Sequence, residues 1–255
     1  MAALRSTKLA LISVQNIYYN IGSLRAIFFP MSSYGQFCPI AKASEILGER
    51  WTHLIIRELG AGSETFNDLR KGLPLISPSL LSSRLKSLEA AGVVARTETE
   101  RGIRYTLSEA GRELKPIILQ VGLWGHRWVR SKLSPEDLDP SLLMWDIHRT
   151  MNADYFGTER TVLHFEFSDY AAKFRRWWLV VGGGEVDVCM KDPGYDVDLE
   201  VVTDLRTLTA VWMGDVGLGQ AIRDRRIRLT GRTRLKRDIS SWLGTNYFAD
   251  IKPAK

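Results

Sequence analysis

A chain of 255 residues is long enough for two ordinary domains, each burying its own core. Its composition, 45% hydrophobic and 25% charged, is that of a globular protein, and no apolar run approaches the ~20 residues that span a bilayer, so no membrane partner is expected. Two cysteines, Cys38 and Cys189, are too few for a disulfide framework, and the net charge of +6 is uneven: three basic and no acidic residues in 1–30, 15 and 10 in 31–133, and 17 and 19 in 134–255. A reducing, cytoplasmic compartment is therefore expected, and the cation surplus of the first half suits a polyanionic partner.

Residues 1–30 carry Arg5, Lys8 and Arg25, and their one apolar stretch, 9–14, is broken by Gln15 and Asn16. That core is poor for a secretion signal, and Met31 is read as the natural start because the family resemblance carried by the residues from Cys38 onward begins only a few residues later. The extension is then a start-site artefact or a loose arm, with a basic arm touching nucleic acid as a third reading. Cys38 precedes Pro39, and Ile40, Ala43, Ile46 and Leu47 follow at helical spacing. A thiol at a helix N-terminus is favoured as thiolate, which makes Cys38 a candidate redox or electrophile sensor. The alternative is an inert, partly buried cysteine. Trp51, Leu54, Ile55 and Leu59 form the apolar face of the next helix, ended by Gly60 and Gly62.

The stretch from Thr65 to Leu107 reads as a nucleic-acid-binding unit. Thr65 with Asp68 starts a short helix, 66–70, closed by Gly72 and Pro74. Ser77 stands where an N-cap belongs, Pro78 takes the first helical position, and Leu81, Leu85 and Leu88 recur until Gly92. Opposite those leucines project Ser79, Ser82, Ser83 and Lys86. Small hydroxyls with one cation let a helix spanning about 78–91 approach a DNA major groove and donate to phosphates and base edges. The bland alternative is a surface helix with serines. Two short strands, 93–97 and 104–107, joined by a charged tip at 98–102, then read as a wing. It would set Arg96, Arg101 and Arg104 beside the helix, with Glu98 and Glu100 opposing phosphate contact.

The residues from Cys38 to about Arg130 resemble the HxlR family of bacterial winged-helix regulators. The resemblance rests on Cys38-Pro39, on ILGERWTHLIIRELGAG (46–62), on FNDLRKGLPLISPSLLSSRLKSLEAAGVVAR (66–96) and on YTLSEAGREL (105–114). It implies a homodimer bound to double-stranded DNA at an inverted-repeat operator. A long helical pattern follows at 108–132. Leu114, Ile117, Ile118, Val121, Trp124 and Trp128 lie on one stripe, with a kink expected at Pro116. Such a stripe needs a partner, either a second protomer or the C-terminal half of the same chain.

A boundary is expected at 131–140, giving an extension at 1–30, a winged-helix domain at 31–133 and a second domain at 134–255. Beyond it a helix at 142–151 precedes strands at 161–167, 176–181 and 185–190, the last two flanking Gly182-Gly183-Gly184. Alternation at Tyr195, Val197, Leu199 and Val201 follows, and then helices around Leu205, Leu208 and Trp212, at 218–225 and through Leu235, Ile239 and Trp242, with a short strand at 227–229 between. The fold class is therefore α+β, a winged helix-turn-helix followed by an α+β layer. The stretches 186–204, 205–222 and 225–243 are similar to the sterol-carrier-protein fold, which implies an apolar tunnel for a small hydrophobic ligand. Trp145, Phe165, Trp178, Val188, Trp212 and Trp242 are its candidate lining, with ordinary core as the alternative. No enzyme is expected and no cofactor or metal. His53, His126, His148 and His164 lack ligand spacing, GGGE at 182–185 lacks the GK[ST] ending of a phosphate loop, and no GxSxG elbow occurs.

Overall fold

The computed structural model describes residues 33–129, 134–252 and 254; the readings of residues 1–30 and of Met31 lie outside them. The first half runs α1 Pro39–Leu47, α2 Thr52–Gly60, α3 Phe66–Gly72, α4 Pro78–Ala90, β1 Val94–Thr99, β2 Gly102–Leu107 and α5 Glu109–Trp124. Local chemistry starts these helices as the sequence suggests. Thr65 Oγ1 accepts the Asp68 N–H at 3.1 Å and donates to the Asp68 carboxylate at 2.6 Å. The Ser77 hydroxyl accepts the Leu80 N–H at 3.3 Å, and Ser108 caps α5 through the Gly111 N–H at 3.0 Å. Ile55, Ile56, Leu69, Leu81, Leu85, Leu88 and Ile118 converge in one core.

Two expectations change here. The hairpin pairs out to Thr99 and Gly102, so its tip is a two-residue turn, Glu100 and Arg101, rather than 98–102. Gly102 there takes φ +107, and the Thr99 hydroxyl donates to its carbonyl at 2.8 Å. α5 runs on through Pro116 and ends at Trp124, short of the expected 132, where one π-helical turn, Gly125–Val129, takes over. Proline at 116 removes the one N–H that would reach the Arg112 carbonyl.

The second half runs α6 Pro140–Thr150, β3 Thr161–Phe167, α7 Ala172–Arg175, β4 Arg176–Gly182, β5 Glu185–Cys189, β6 Leu199–Thr203, α8 Leu205–Trp212, α9 Leu218–Arg223, β7 Ile227–Gly231, α10 Thr233–Arg237 and α11 Ile239–Trp242. Its sheet has the order β5-β4-β3-β6-β7, with β3 and β6 parallel and the other neighbours antiparallel. Leu163, Phe165, Phe167, Trp177, Leu179, Leu199 and Val201 form its inner face, packed with Met144, Ile147, Leu208 and Trp242 of the helices. Gly183 and Gly184, at φ +62 and +81, make the tight hairpin that the glycine run predicts.

Tyr195 and Val197 are exposed and precede the strand they were expected to join, which begins at Leu199. Residues 190–198 carry the chain from edge strand β5 to β6, on the far side of β4 and β3, and a crossover cannot also pair. Asp198, just before β6, acts as a pin: its carboxylate accepts the Val162 N–H at 2.8 Å and pairs with Arg232 at 2.6 Å. Among the described residues no helix is long and apolar enough to cross a membrane, and no three His, Cys, Asp or Glu side chains are grouped to hold a metal.

The two cores are joined by buried charge. Glu58 of α2 is fully buried, yet it accepts from Arg57 at 2.7 Å, Ser63 at 3.1 Å and Arg149 of α6 at 2.7 Å. Arg149 also pairs with Asp146. Beside this cluster Lys71 of α3 sits 4.5 Å over the Trp145 ring, whose neighbour His148 stacks on it at 4.5 Å.

Candidate nucleic-acid interface

α4 separates its faces by about 100° per residue, so the buried Leu81, Leu85 and Leu88 leave a contiguous outer face. Ser79 and Lys86 lie exposed on it, with Ser82 and Ser83 half-exposed beside them, and Ser77 holds its oxygen 3.3 Å from that of Ser79. Lys86 has no acidic partner among the described residues. Arg84, on the flank, pairs with Glu49 and donates from Nε to the Arg50 carbonyl at 3.2 Å, so it fixes the helix to the α1–α2 connection. Sequence reasoning passed over Arg84. Its place on the margin between the apolar and polar faces was the available signal, since a long cation there reaches a neighbouring element.

The three wing arginines do not converge. Arg96 stands across from Tyr105 and Arg104 across from Thr97, which puts the two cations on opposite faces of the ribbon. Arg104 is held at the foot of the wing by Glu64, whose carbonyl also accepts the Tyr105 N–H at 2.7 Å. Arg96 pairs with Glu98 at 2.8 Å, and that carboxylate raises the pKa of the guanidinium above its usual value. Arg101 sits at the tip, exposed, with no acidic partner among the described residues.

Cys38 stands at the N-cap position of α1, where its thiol makes no capping hydrogen bond, and is half-exposed, with Phe37 and Ile40 exposed on either side of Cys38-Pro39. On α5 the apolar residues divide. Ile118 enters the core, while Ile117, Val121, Trp124 and, one turn on, Trp128 keep 50–61% of their surface open along one stripe. A third side meets the chain's own tail: His126 Nε2 donates to the Ile251 carbonyl at 2.9 Å, and a side chain added at Gly122 would strike the Phe248 ring at 2.7 Å.

The six residues expected to line one apolar tunnel fall in separate places. Phe165 and Trp242 are fully buried core. Trp178 faces the other side of the sheet, stacked on His164 at 4.9 Å, because its neighbour Trp177 takes the inward position. Trp145 and Val188 line a cleft of about 510 Å³ against α3, and Trp212 lines another of about 480 Å³ against α2 and α5. Side-chain alternation separates Trp178 from Phe165, so these six cannot share one cavity.

A capped helix-turn-helix, a two-stranded wing and a polar outer helix face define a winged helix-turn-helix protein, carrying here a further α+β half. Residues 46–133 match the HxlR-like helix-turn-helix family. The HTH-type transcriptional regulator YvaP of Bacillus subtilis is 38% identical over 112 residues, 42% of this chain and 95% of that protein. The HTH-type transcriptional regulator YodB of the same organism is 35% identical over 95 residues, 36% of this chain and 85% of its own length. The reduced form of YodB aligns 92% of its chain with 35% of this one, at 32% identity and a TM-score of 0.32. On the family and YvaP matches, the chain belongs to the HxlR-like helix-turn-helix family.

Proposed function

We propose that the protein is a dimeric transcriptional regulator that inserts α4 into the major groove of an inverted-repeat operator, with residues 31–133 as reader and 134–255 as a sensing domain. The observation that carries this reading is the outer face of α4, where Ser79, Ser82, Ser83 and Lys86 stand together opposite a fully packed leucine stripe. Arg101 adds a phosphate contact from the wing tip, whereas Arg96 and Arg104 are committed to Glu98 and Glu64 and brace the ribbon. The exposed stripe of Ile117, Val121, Trp124 and Trp128 supplies the two-fold contact. A dimer of this kind sets its recognition helices about one DNA turn, or ~10 base pairs, apart.

The C-terminal half is taken as a domain of the sterol-carrier kind, on the support of its mixed five-stranded sheet with helices packed on the inner face. The test is a titration of the purified protein against a fragment of its own upstream region and a scrambled duplex, across salt concentrations. Preference for the upstream fragment with a steep loss of affinity in salt is expected. Equal, weak and salt-insensitive binding to both duplexes counts against the reading.

A further inference from the structure

We infer that the cleft between α2 and α5 on one side and α8 and the C-terminal tail on the other is a binding site for a small aromatic anion. Its volume is about 480 Å³, within the range of small-molecule sites. Ile56, Ile118 and Leu119 wall it from the reader, and Trp212, Tyr247 and Phe248 wall it from the other half.

The walls are pinned by contacts that need no ligand. The Trp212 indole N–H donates to Thr150 Oγ1 at 3.4 Å, and that hydroxyl donates to the Asp146 carbonyl at 3.0 Å. The Trp212 carbonyl accepts the Asn246 N–H at 2.8 Å, which holds the tail in place, and Phe248 lies close against Gly122. A preformed aromatic slot loses little entropy on binding, and it favours a flat apolar body.

The charge around it is one-sided once paired groups are set aside. Arg57 and Arg149 are tied to Glu58, and Asp146 to Arg149. Lys115 lays its alkyl chain over Gly60, where an added Cβ would come 3.3 Å from its Cδ, and its ammonium has no acidic partner among the described residues. Lys115 is therefore the cation open to a ligand carboxylate or sulfonate at the cleft rim. Burial also pushes the Asp146 carboxyl pKa up, against the lowering influence of Arg149, so the cleft base is poorly solvated and a ligand's charge belongs at the rim beside Lys115.

The site's regulatory meaning rests on the regulator reading above. A ligand here touches both cores at once and lies against α5, the helix that carries the exposed stripe. Binding itself is independent of DNA, so the two ideas can fail separately.

The test is isothermal titration of the full chain with 2-naphthoate and with the uncharged 2-naphthamide, in the absence of DNA. Both are expected to bind saturably, the acid more tightly. Lys115→Gln should weaken the acid about tenfold and leave the amide unchanged, while Tyr247→Ala should weaken both. Lys115 and Tyr247 are exposed, so neither substitution threatens the fold. Absence of saturable binding by either probe overturns the inference, as does a Lys115→Gln variant that binds both unchanged or loses both equally.

Discussion

Replacing Arg149 by methionine tests what joins the two halves. Arg149 donates to Glu58 at 2.7 and 3.3 Å and pairs with Asp146, while Glu58 is without solvent contact. Removing one member of a buried ion pair costs about 3–5 kcal/mol, because the charge left behind can neither pair fully nor reach water. Arg57 and Ser63 remain on Glu58, which places Arg149→Met near the lower end, about 3 kcal/mol. The double variant Glu58→Gln/Arg149→Met removes one of the two stranded charges, Asp146 keeping the other, and should lose about 2 kcal/mol less than the two single losses added. Urea unfolding at neutral pH, followed by tryptophan fluorescence, gives both numbers. Arg149→Met should also lower the m-value by letting the halves unfold separately. A single-variant cost below about 1 kcal/mol, or strict additivity in the double variant, refutes this account of the junction.

Gly72→Ala should destabilise by a comparable amount, since the new Cβ would fall 1.9 Å from Glu58 Oε2, whose partners hold it still; a thermal melt matching wild type would contradict this. The pKa of His148 is lowered from its ordinary 6.5, chiefly by burial, so the unfolded chain binds more protons below that value. Stability should therefore be complete above about pH 6.5 and fall as the pH drops from there toward the folded-state pKa. His148→Gln should flatten that slope in urea titrations, and an unchanged slope would show that another group carries it. Lys86→Ala and Arg101→Ala should each weaken DNA binding uniformly and reduce the salt slope by about one, whereas Arg104→Ala should loosen the wing with a smaller change in slope. Val121→Glu places a charge in the exposed α5 stripe and should give a folded monomer in sedimentation; a dimer that persists would move the two-fold contact elsewhere.

Much of the reader was legible because its signals are local. Thr65 with Asp68, Ser77 with Pro78, and the leucines of α4 declare their helix within four residues of chain, and the hydrogen bonds at Thr65 and Ser77 follow. Misplacing the wing tip had a larger effect than its length suggests. With the turn at Glu100 and Arg101, pairing sets Arg96 against Tyr105 and Arg104 against Thr97, and opposite faces follow at once. The junction was not legible: Glu58 and Arg149 are 91 residues apart, and neither sits in a local pattern that names its partner. Trp177 and Trp178 were ambiguous for another reason. Buried strand β4 is a continuous apolar run, so only its register against Phe165 and His164 decides which ring faces the helices.

Ligand control of such a reader faces an arithmetic limit that dimer symmetry relaxes. Moving an equilibrium from 1:99 to 99:1 takes about a 10⁴-fold difference in affinity between the two states, roughly 5.5 kcal/mol. One small aromatic anion, held by a few ring contacts and one lysine, is a poor source of that much discrimination. In a two-fold dimer two clefts act on one DNA-bound state, so each site needs only about a 10²-fold difference, roughly 2.7 kcal/mol. That is close to the strength expected of the Glu58–Arg149 junction beside the cleft. A junction much weaker than this would let the halves part without informing α5, and one much stronger would hold them whatever the cleft contained. Arg149→Met should accordingly leave the reader able to bind DNA while removing most of the effect of 2-naphthoate on that binding. Full ligand response in this variant would locate the coupling in α5 and the tail alone, through Gly122 and Phe248.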